Sequence, residues 1–300
     1  MQRAALSGVA IVDKPRGMTS HAVVAQARKL FGRREIGHAG TLDPMATGVL
    51  VVLVGQACKL SSYLTADRKR YAAEIRFGIA TDTLDADGQI TLEAPIQPQQ
   101  LAPAEVEAAL AAEHARTRQV PPAVSAIKVS GQRAYALARR GQAPELAARS
   151  VEVHELKLVR LEPPLLRCEL LVSKGYYVRA LARDLGERLG AAAHLCSLRR
   201  LASGPFGLDQ ALVWPPREAP ALLGLAEAAT AALPVARLTA DAVSRARQGK
   251  QLEARDFVDL PAGPAPTAWL SPHGELVAIG TAEPPFQVLR GFNPEAVSSP

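Results

Sequence analysis

The chain has 300 residues, 48% apolar and 21% charged, which fits a globular protein with a sizeable core and excludes disordered and fibrous classes. It carries 35 basic and 29 acidic residues, and arginine, whose fork suits phosphate, supplies 27 of the cations, so a polyanionic partner is expected. The longest apolar stretch, 48–55, is far short of the roughly 20 residues of a membrane helix, and Cys58, Cys168 and Cys196 form no CxxC pair. No membrane, no disulfide framework and no structural zinc are therefore expected, and reduced thiols fit a cytoplasmic protein.

Residues 4–12 are apolar after Arg3, but Asp13-Lys14-Pro15 follows without a cleavage site, so this stretch reads as a strand rather than a signal peptide. Thr19 or Ser20 caps a helix whose apolar face is Val23, Val24, Ala27, Leu30 and Phe31. A loop is expected over 32–47, then a strand buried on both faces at 49–54 and a half-buried strand at 71–77. Pro103 opens a helix running to about Ala112. Residues 151–160 and 165–173 read as strands around Glu162-Pro163-Pro164, and Val178, Leu181, Leu185 and Leu189 mark a helix ended by Gly190.

Without a regular βαβ period, this is an α+β fold with a mixed sheet. Residues 213–232 read as a connecting helix or linker. Beyond Pro234 the pieces shorten, with a hairpin over 268–279 predicted within a small β-barrel. The division expected is 1–230 and 234–295. Charge divides similarly: 29 basic and 22 acidic residues up to 230, then 6 and 7.

The densest motif is Gly37-His38-Ala39-Gly40-Thr41-Leu42-Asp43-Pro44-Met45-Ala46-Thr47-Gly48-Val49-Leu50. On its own, Asp43 before Pro44 reads as a turn or cap aspartate. Four more blocks stand in order with it: Asp13-Lys14-Pro15-x-Gly17-Met18-Thr19-Ser20; Lys69-Arg70-Tyr71 followed by Thr81-Asp82-Thr83-x-Asp85-Ala86-x-Gly88; Gln119-x-Pro121-Pro122-x-x-Ser125-Ala126-x-Lys128; and Ser173-Lys174-Gly175-x-Tyr177-Val178-Arg179-x-Leu181. Together these resemble the bacterial tRNA pseudouridine-55 synthases, with Met45 slightly unusual and Tyr176 standing where that family more often has threonine.

The resemblance implies a pseudouridine synthase fold with a mixed, largely antiparallel sheet and a C-terminal PUA-like RNA-binding barrel. It implies isomerisation of a tRNA T-loop uridine, which needs no metal or organic cofactor. Asp43 takes the place of the family nucleophile; attack at C1′, attack at C6 and abstraction of a sugar proton all remain open. Arg179 matches the arginine that pairs with it and favours its charged form; a phosphate contact is the other reading. Tyr71 would stack on the flipped uracil, worth ~1–3 kcal/mol, or be a core tyrosine.

Unstacking the uridine costs a few kcal/mol. His38 matches a histidine that inserts into the vacated stack, or else it supports the Asp43 loop. Leu198 either packs on the base or is a helix-end core leucine. Tyr177 falls among the substrate-binding positions. Asp82 accepts from Arg179 or braces its loop, and Lys14, like Arg16, supports the fold or touches phosphate. The segment 82–88 superficially suggests a calcium loop, but with Gly88 as the sixth position the twelfth is Ala94, so the bidentate glutamate is missing and calcium is rejected.

Arg33, Arg34, Arg68, Lys69, Arg70, Arg139, Arg140, Arg199 and Arg200 are candidates for neutralising tRNA phosphates, with salt-sensitive binding. An RNA-binding or tRNA-folding module and a guide-RNA-dependent enzyme are the rival functions. The absence of a lysine-rich tail favours a stand-alone enzyme with no obligatory protein partner, and a monomer is expected because one chain can hold a tRNA-sized substrate.

Overall fold

A computed structural model describes residues 6–65, 68–125, 127–129, 131–134, 137, 140–142 and 144–293. Arg139, Ala126, residues 3–5 and the end of the expected 234–295 module lie outside them.

The apolar start forms β1 (Gly8–Lys14). Thr19 then caps α1 (Ser20–Phe31), its hydroxyl accepting from the Ala22 N–H at 3.0 Å. Gly32 closes that helix in the left-handed conformation, φ 62°. The expected 32–47 loop is not wholly irregular, because β2 (Ile36–Ala39) forms within it by pairing with β3 (Thr47–Val54). A lone four-residue segment has little periodicity of its own; its partner strand supplies the order. The chain continues through β4 (Arg68–Phe77), α2 (Pro103–His114), β5 (Val153–Glu162), β6 (Leu165–Ser173) and α3 (Val178–Arg188).

Next comes an element the sequence reading lacks: β7 (Ala193–Ser203), an 11-residue strand at the centre of the sheet. Leu198 is therefore on a strand and not at a helix end. The 213–232 region divides into β8 (Leu212–Val213) and α4 (Leu225–Ala232), so it is structured rather than a free linker.

The main sheet runs β5-β6-β4-β7-β3-β1-β8. Only the β7–β3 and β1–β8 pairs along this path are parallel, so the sheet is mixed and largely antiparallel. Residues alternate between its two faces. Leu50, Val52 and Val54 of β3 join the core under α1, α2 and α3, while Val49, Val51 and Leu53 join a second core on the reverse face. Each such fully buried side chain contributes roughly 1.5–3 kcal/mol.

The second core continues into the C-terminal region through α4, Ala268, Leu270, Leu276, Ile279 and Phe292. That region contains β9 (Val235–Leu238), α5 (Ala240–Arg247), β10 (Phe257–Asp259), β11 (Thr267–Leu270), β12 (Leu276–Gly280) and β13 (Val288–Gly291). The expected hairpin is β11–β12. The strands form an open sheet, β10-β9-β11-β12-β13, and among the described residues its outer strands do not pair, so no closed barrel is seen.

Gly280 is dictated by packing: a Cβ there would sit 2.2 Å from the Trp269 indole. The region is docked by Gln56, which exchanges hydrogen bonds with the Asn293 backbone (2.9 and 3.2 Å), and by Lys59, which donates to Gly291 O at 2.9 Å.

Candidate active site

A cleft of about 240 Å³ opens over β4, β7 and the start of α3. Asp43, Tyr71, Tyr177, Arg179 and Leu198, distant in sequence, all line it. Asp43 reaches the cleft on the 40–46 loop, and neighbouring residues hold that loop by its backbone. Ser20 Oγ accepts from Leu42 N at 2.9 Å and donates to Leu42 O at 3.2 Å. Gly17 N donates to Pro44 O at 2.8 Å. Leu42, Met45 and Ala46 are buried, so Met45 serves as an apolar anchor for the loop.

Two buried cations complete the support. Lys14 is fully buried, and its ammonium donates to Pro15 O (2.9 Å), Met18 O (2.7 Å) and Pro44 O (3.3 Å). Its three donors are thus committed within the fold, which decides against a phosphate contact. Burial lowers its pKa from 10.5 to about 8, against the raising influence of Asp43.

Arg200, also fully buried, donates to Val49 O (2.7 Å), Gly40 O (2.9 Å) and Thr41 O (3.3 Å). It is a brace for the Asp43 loop, not a phosphate ligand as the charge cluster implied. Gly48, at φ +100°, has no room for a side chain because a Cβ would fall 2.2 Å from Arg200 O. Its neighbour Arg199 points the other way and pairs with Asp13 at 2.6 Å. Arg70 is likewise paired, bidentately, with Glu155.

Arg179 sits on the first turn of α3, 5% exposed. Its fork makes four hydrogen bonds: Nε to Asp43 Oδ2 (2.9 Å), Nη2 to Asp43 Oδ1 (3.3 Å), Nη1 to Thr83 O (2.9 Å) and Nη2 to Val124 O (3.0 Å). Asp43 itself stays 35% exposed, so one side of its carboxylate is clamped while the rest faces the cleft.

A second carboxylate approaches the same guanidinium, and it is Asp85 rather than Asp82. Asp85 Oδ2 lies 3.5 Å from Arg179 Nε and is buried; Thr83 Oγ1 donates to its Oδ1 at 2.6 Å. Burial raises the Asp85 carboxyl pKa, opposed by Thr83 and Arg179. Asp82 is exposed and accepts from Gln89 N at 2.9 Å, which places it as a brace of the 82–89 turn. Leu84 holds φ +63° in that turn, and its carbonyl accepts from Leu195 N on β7.

Tyr71 is 8% exposed, belonging to the core and the cleft wall at once. Leu198 adds an apolar patch to the wall. Tyr177 is half-buried, and burial pushes its phenol pKa up. Tyr176, the departure from threonine, is buried and donates to the buried Glu113 at 2.9 Å, and Glu113 in turn pairs with Arg116 at 2.6 Å. His38 is on β2, outside the lining residues, with its ring edge-on to His21 at 5.5 Å. Burial, then His21 and Arg200, lower its pKa, which favours a neutral ring suited to stacking.

Sequence reasoning assigned no role to Asp85 or Glu113, offered Ser20 only as a helix cap where it holds the Leu42 backbone, and misjudged Arg200. Asp85 lay in a quoted motif three residues from Asp82, but only the turn decides which of the two faces Arg179.

The clamp of a loop aspartate by a buried helix arginine, beside a wall tyrosine and leucine, agrees with the domain comparisons. The N-terminal domain of TruB family pseudouridylate synthases matches residues 28–178, and the tRNA pseudouridylate synthase B C-terminal domain matches 179–215. The protein named tRNA pseudouridine synthase B from Thermobifida fusca is 44% identical over 282 residues, covering 91% of this chain and 93% of its own length.

The chain belongs to the TruB family.

A second relative of that name, from an Arthrobacter species, is 42% identical, covering 91% of this chain and 92% of its own. Among solved structures, a chain of a Cbf5–Nop10–Gar1 complex superposes with a TM-score of 0.74 at 24% identity, over 96% of this chain and 85% of that one. That likeness shows the fold over nearly the whole of this TruB family member.

Proposed function

We propose that this protein isomerises uridine 55 in the T-loop of tRNA to pseudouridine. The N1–C1′ bond breaks, the uracil turns, C5 bonds to C1′, N1 takes up a proton and the C5 proton is released. Atoms and electrons balance within the substrate and solvent. The observation that carries this reading is the bidentate Arg179–Asp43 pair at the cleft, with Asp43 exposed toward it.

Asp43 acts as the nucleophile. Arg179 fixes both of its oxygens and holds negative charge in a cleft that a flipped base would close to water. Tyr71 and Leu198 bracket the base, and Tyr177 adds contact area at the rim. His38, a neutral ring flanked by His21, fits insertion into the stack that the uridine vacates.

The catalytic unit is 1–230, and 234–295 serves as a PUA-like RNA-binding module, near-neutral in charge and therefore contributing shape more than electrostatic grip. The enzyme works in the cytoplasm as a monomer without an obligatory protein partner. Three free cysteines support the cytoplasmic setting. No helix among the described residues is long and apolar enough to cross a membrane.

The test is tritium release from [5-³H]uridine-labelled, unmodified tRNA by wild type and Asp43→Asn. Release confined to the T-loop position and lost in the variant is expected. Equal tRNA binding by both proteins with release from neither would replace the enzyme by an RNA-binding module.

A further inference from the structure

The Gln119-x-Pro121-Pro122 motif has so far no part in the chemistry. Gln119 is 2% exposed, yet both ends of its amide are engaged. Its Oε1 accepts from Tyr177 N at 2.8 Å, and its Nε2 donates to Tyr177 O at 3.2 Å. The side chain thus pairs with a single extended residue (φ −111°, ψ 112°) as a neighbouring strand would.

Tyr177 is the residue from which α3 starts. It has no side-chain cap of its own, and its carbonyl also accepts from Ala180 and Leu181. Arg179 follows two residues later. The segment that carries Gln119 then holds the guanidinium directly, through Val124 O. One stretch, 119–124, therefore touches both the start of the arginine's helix and its fork.

We propose that Gln119 is a positioning residue for the reaction: its two-point clamp on Tyr177 fixes where α3 begins and hence the alignment of Arg179 on Asp43. This rests on the assignment of Asp43 and Arg179 to catalysis. The clamp needs one donor and one acceptor at the end of a three-carbon reach. Glutamine supplies both, whereas an ionised glutamate would oppose its carboxylate to the Tyr177 carbonyl.

The experiment measures kcat, KM and tRNA affinity of the full chain with unmodified tRNA. Gln119→Met lowers kcat about 10²-fold and leaves affinity within about threefold, because a misplacement near 1 Å costs that much in rate without removing binding contacts. Introduced into Arg179→Lys, the same change lowers kcat less than about threefold further, since the residue it positions is already altered.

Gln119→Glu, whose carboxyl regains a donor when protonated, recovers kcat relative to wild type as pH falls from 8 to 5.5; this variant decides the matter if Gln119→Met does not fold. An unchanged kcat, a full 10²-fold loss repeated in the Arg179→Lys background, or a flat pH ratio for Gln119→Glu would overturn the proposal. Asp43→Asn, run alongside, separates the two readings. If that variant turns over, the site assignment fails; if it is dead while Gln119→Met is fully active, only the role of Gln119 fails.

Discussion

On the wall of the cleft that carries Asp43, the loop backbone is held from below by two buried cations, Lys14 and Arg200, which donate to carbonyls on either side of the aspartate. Across the cleft, the wall that carries Arg179 is built of acceptors: the Asp85 carboxylate and the carbonyls of Thr83 and Val124. Each functional charge thus stands over a scaffold of the opposite sign. The difference teaches how a pair of ions can be held rigid in a half-closed cleft. Fixed groups do the orienting that water would otherwise do, and little reorganisation is left for the reaction.

Substitutions can break either wall. The largest effect is expected on the acceptor wall itself: Arg179→Lys keeps a charge but loses the fork, and single-turnover assays should show a rate lower by roughly 10²–10³-fold. On the cation wall, Arg200→Met leaves the carbonyls of Gly40, Thr41 and Val49 without their donor. Urea unfolding should report a loss on the order of 3 kcal/mol, since unsatisfied buried acceptors cost about 1–3 kcal/mol each and partly relax.

Lys14 sharpens the comparison through pH. Its pKa is lowered to about 8 in the fold, so between pH 8 and 10.5 the unfolded chain binds the extra proton and stability rises with pH. Below pH 8 both states are charged and the folded one bears the whole penalty. Subtracting the unfolding free energy of Lys14→Met from that of wild type should therefore give a difference that moves in favour of wild type by up to about 3 kcal/mol over that window. A difference independent of pH would show that the ammonium is not penalised by burial.

A smaller effect is expected behind the acceptor wall. Tyr176→Phe leaves Glu113 without one donor and should cost about 1–2 kcal/mol in thermal or urea unfolding, with tRNA affinity unchanged. The smallest is at Asp82. Asp82→Asn keeps an acceptor for Gln89 N and should alter stability by less than about 0.5 kcal/mol, with no change in rate. A large rate loss there would restore it to the arginine's partners.

Much of this architecture is legible in the amino-acid sequence. A continuous valine-rich apolar run marks β3 as buried on both faces, Thr19 and Gly32 bracket α1, and the proline pair separates β5 from β6, because these features depend on local chemistry. The Asp43, Tyr71 and Arg179 trio is legible through the motifs around it.

Tertiary structure alone decided the rest. Strand β7 escaped notice because register shifts at Leu195/Ser197 and Arg200/Ala202 break the two-residue period by which strands are recognised. Successive residues of a strand face opposite sides, which buries Arg200 beside a half-exposed Arg199, so two adjacent arginines that look alike in sequence become a brace and a surface ion pair. Asp82 and Asp85 differ only in the side of a turn they occupy, and Lys14 differs from a surface lysine only in the carbonyls that converge on it. A side chain's charge is written in the sequence, but whether that charge meets solvent, phosphate or backbone is set by strands and loops that only the folded chain brings together.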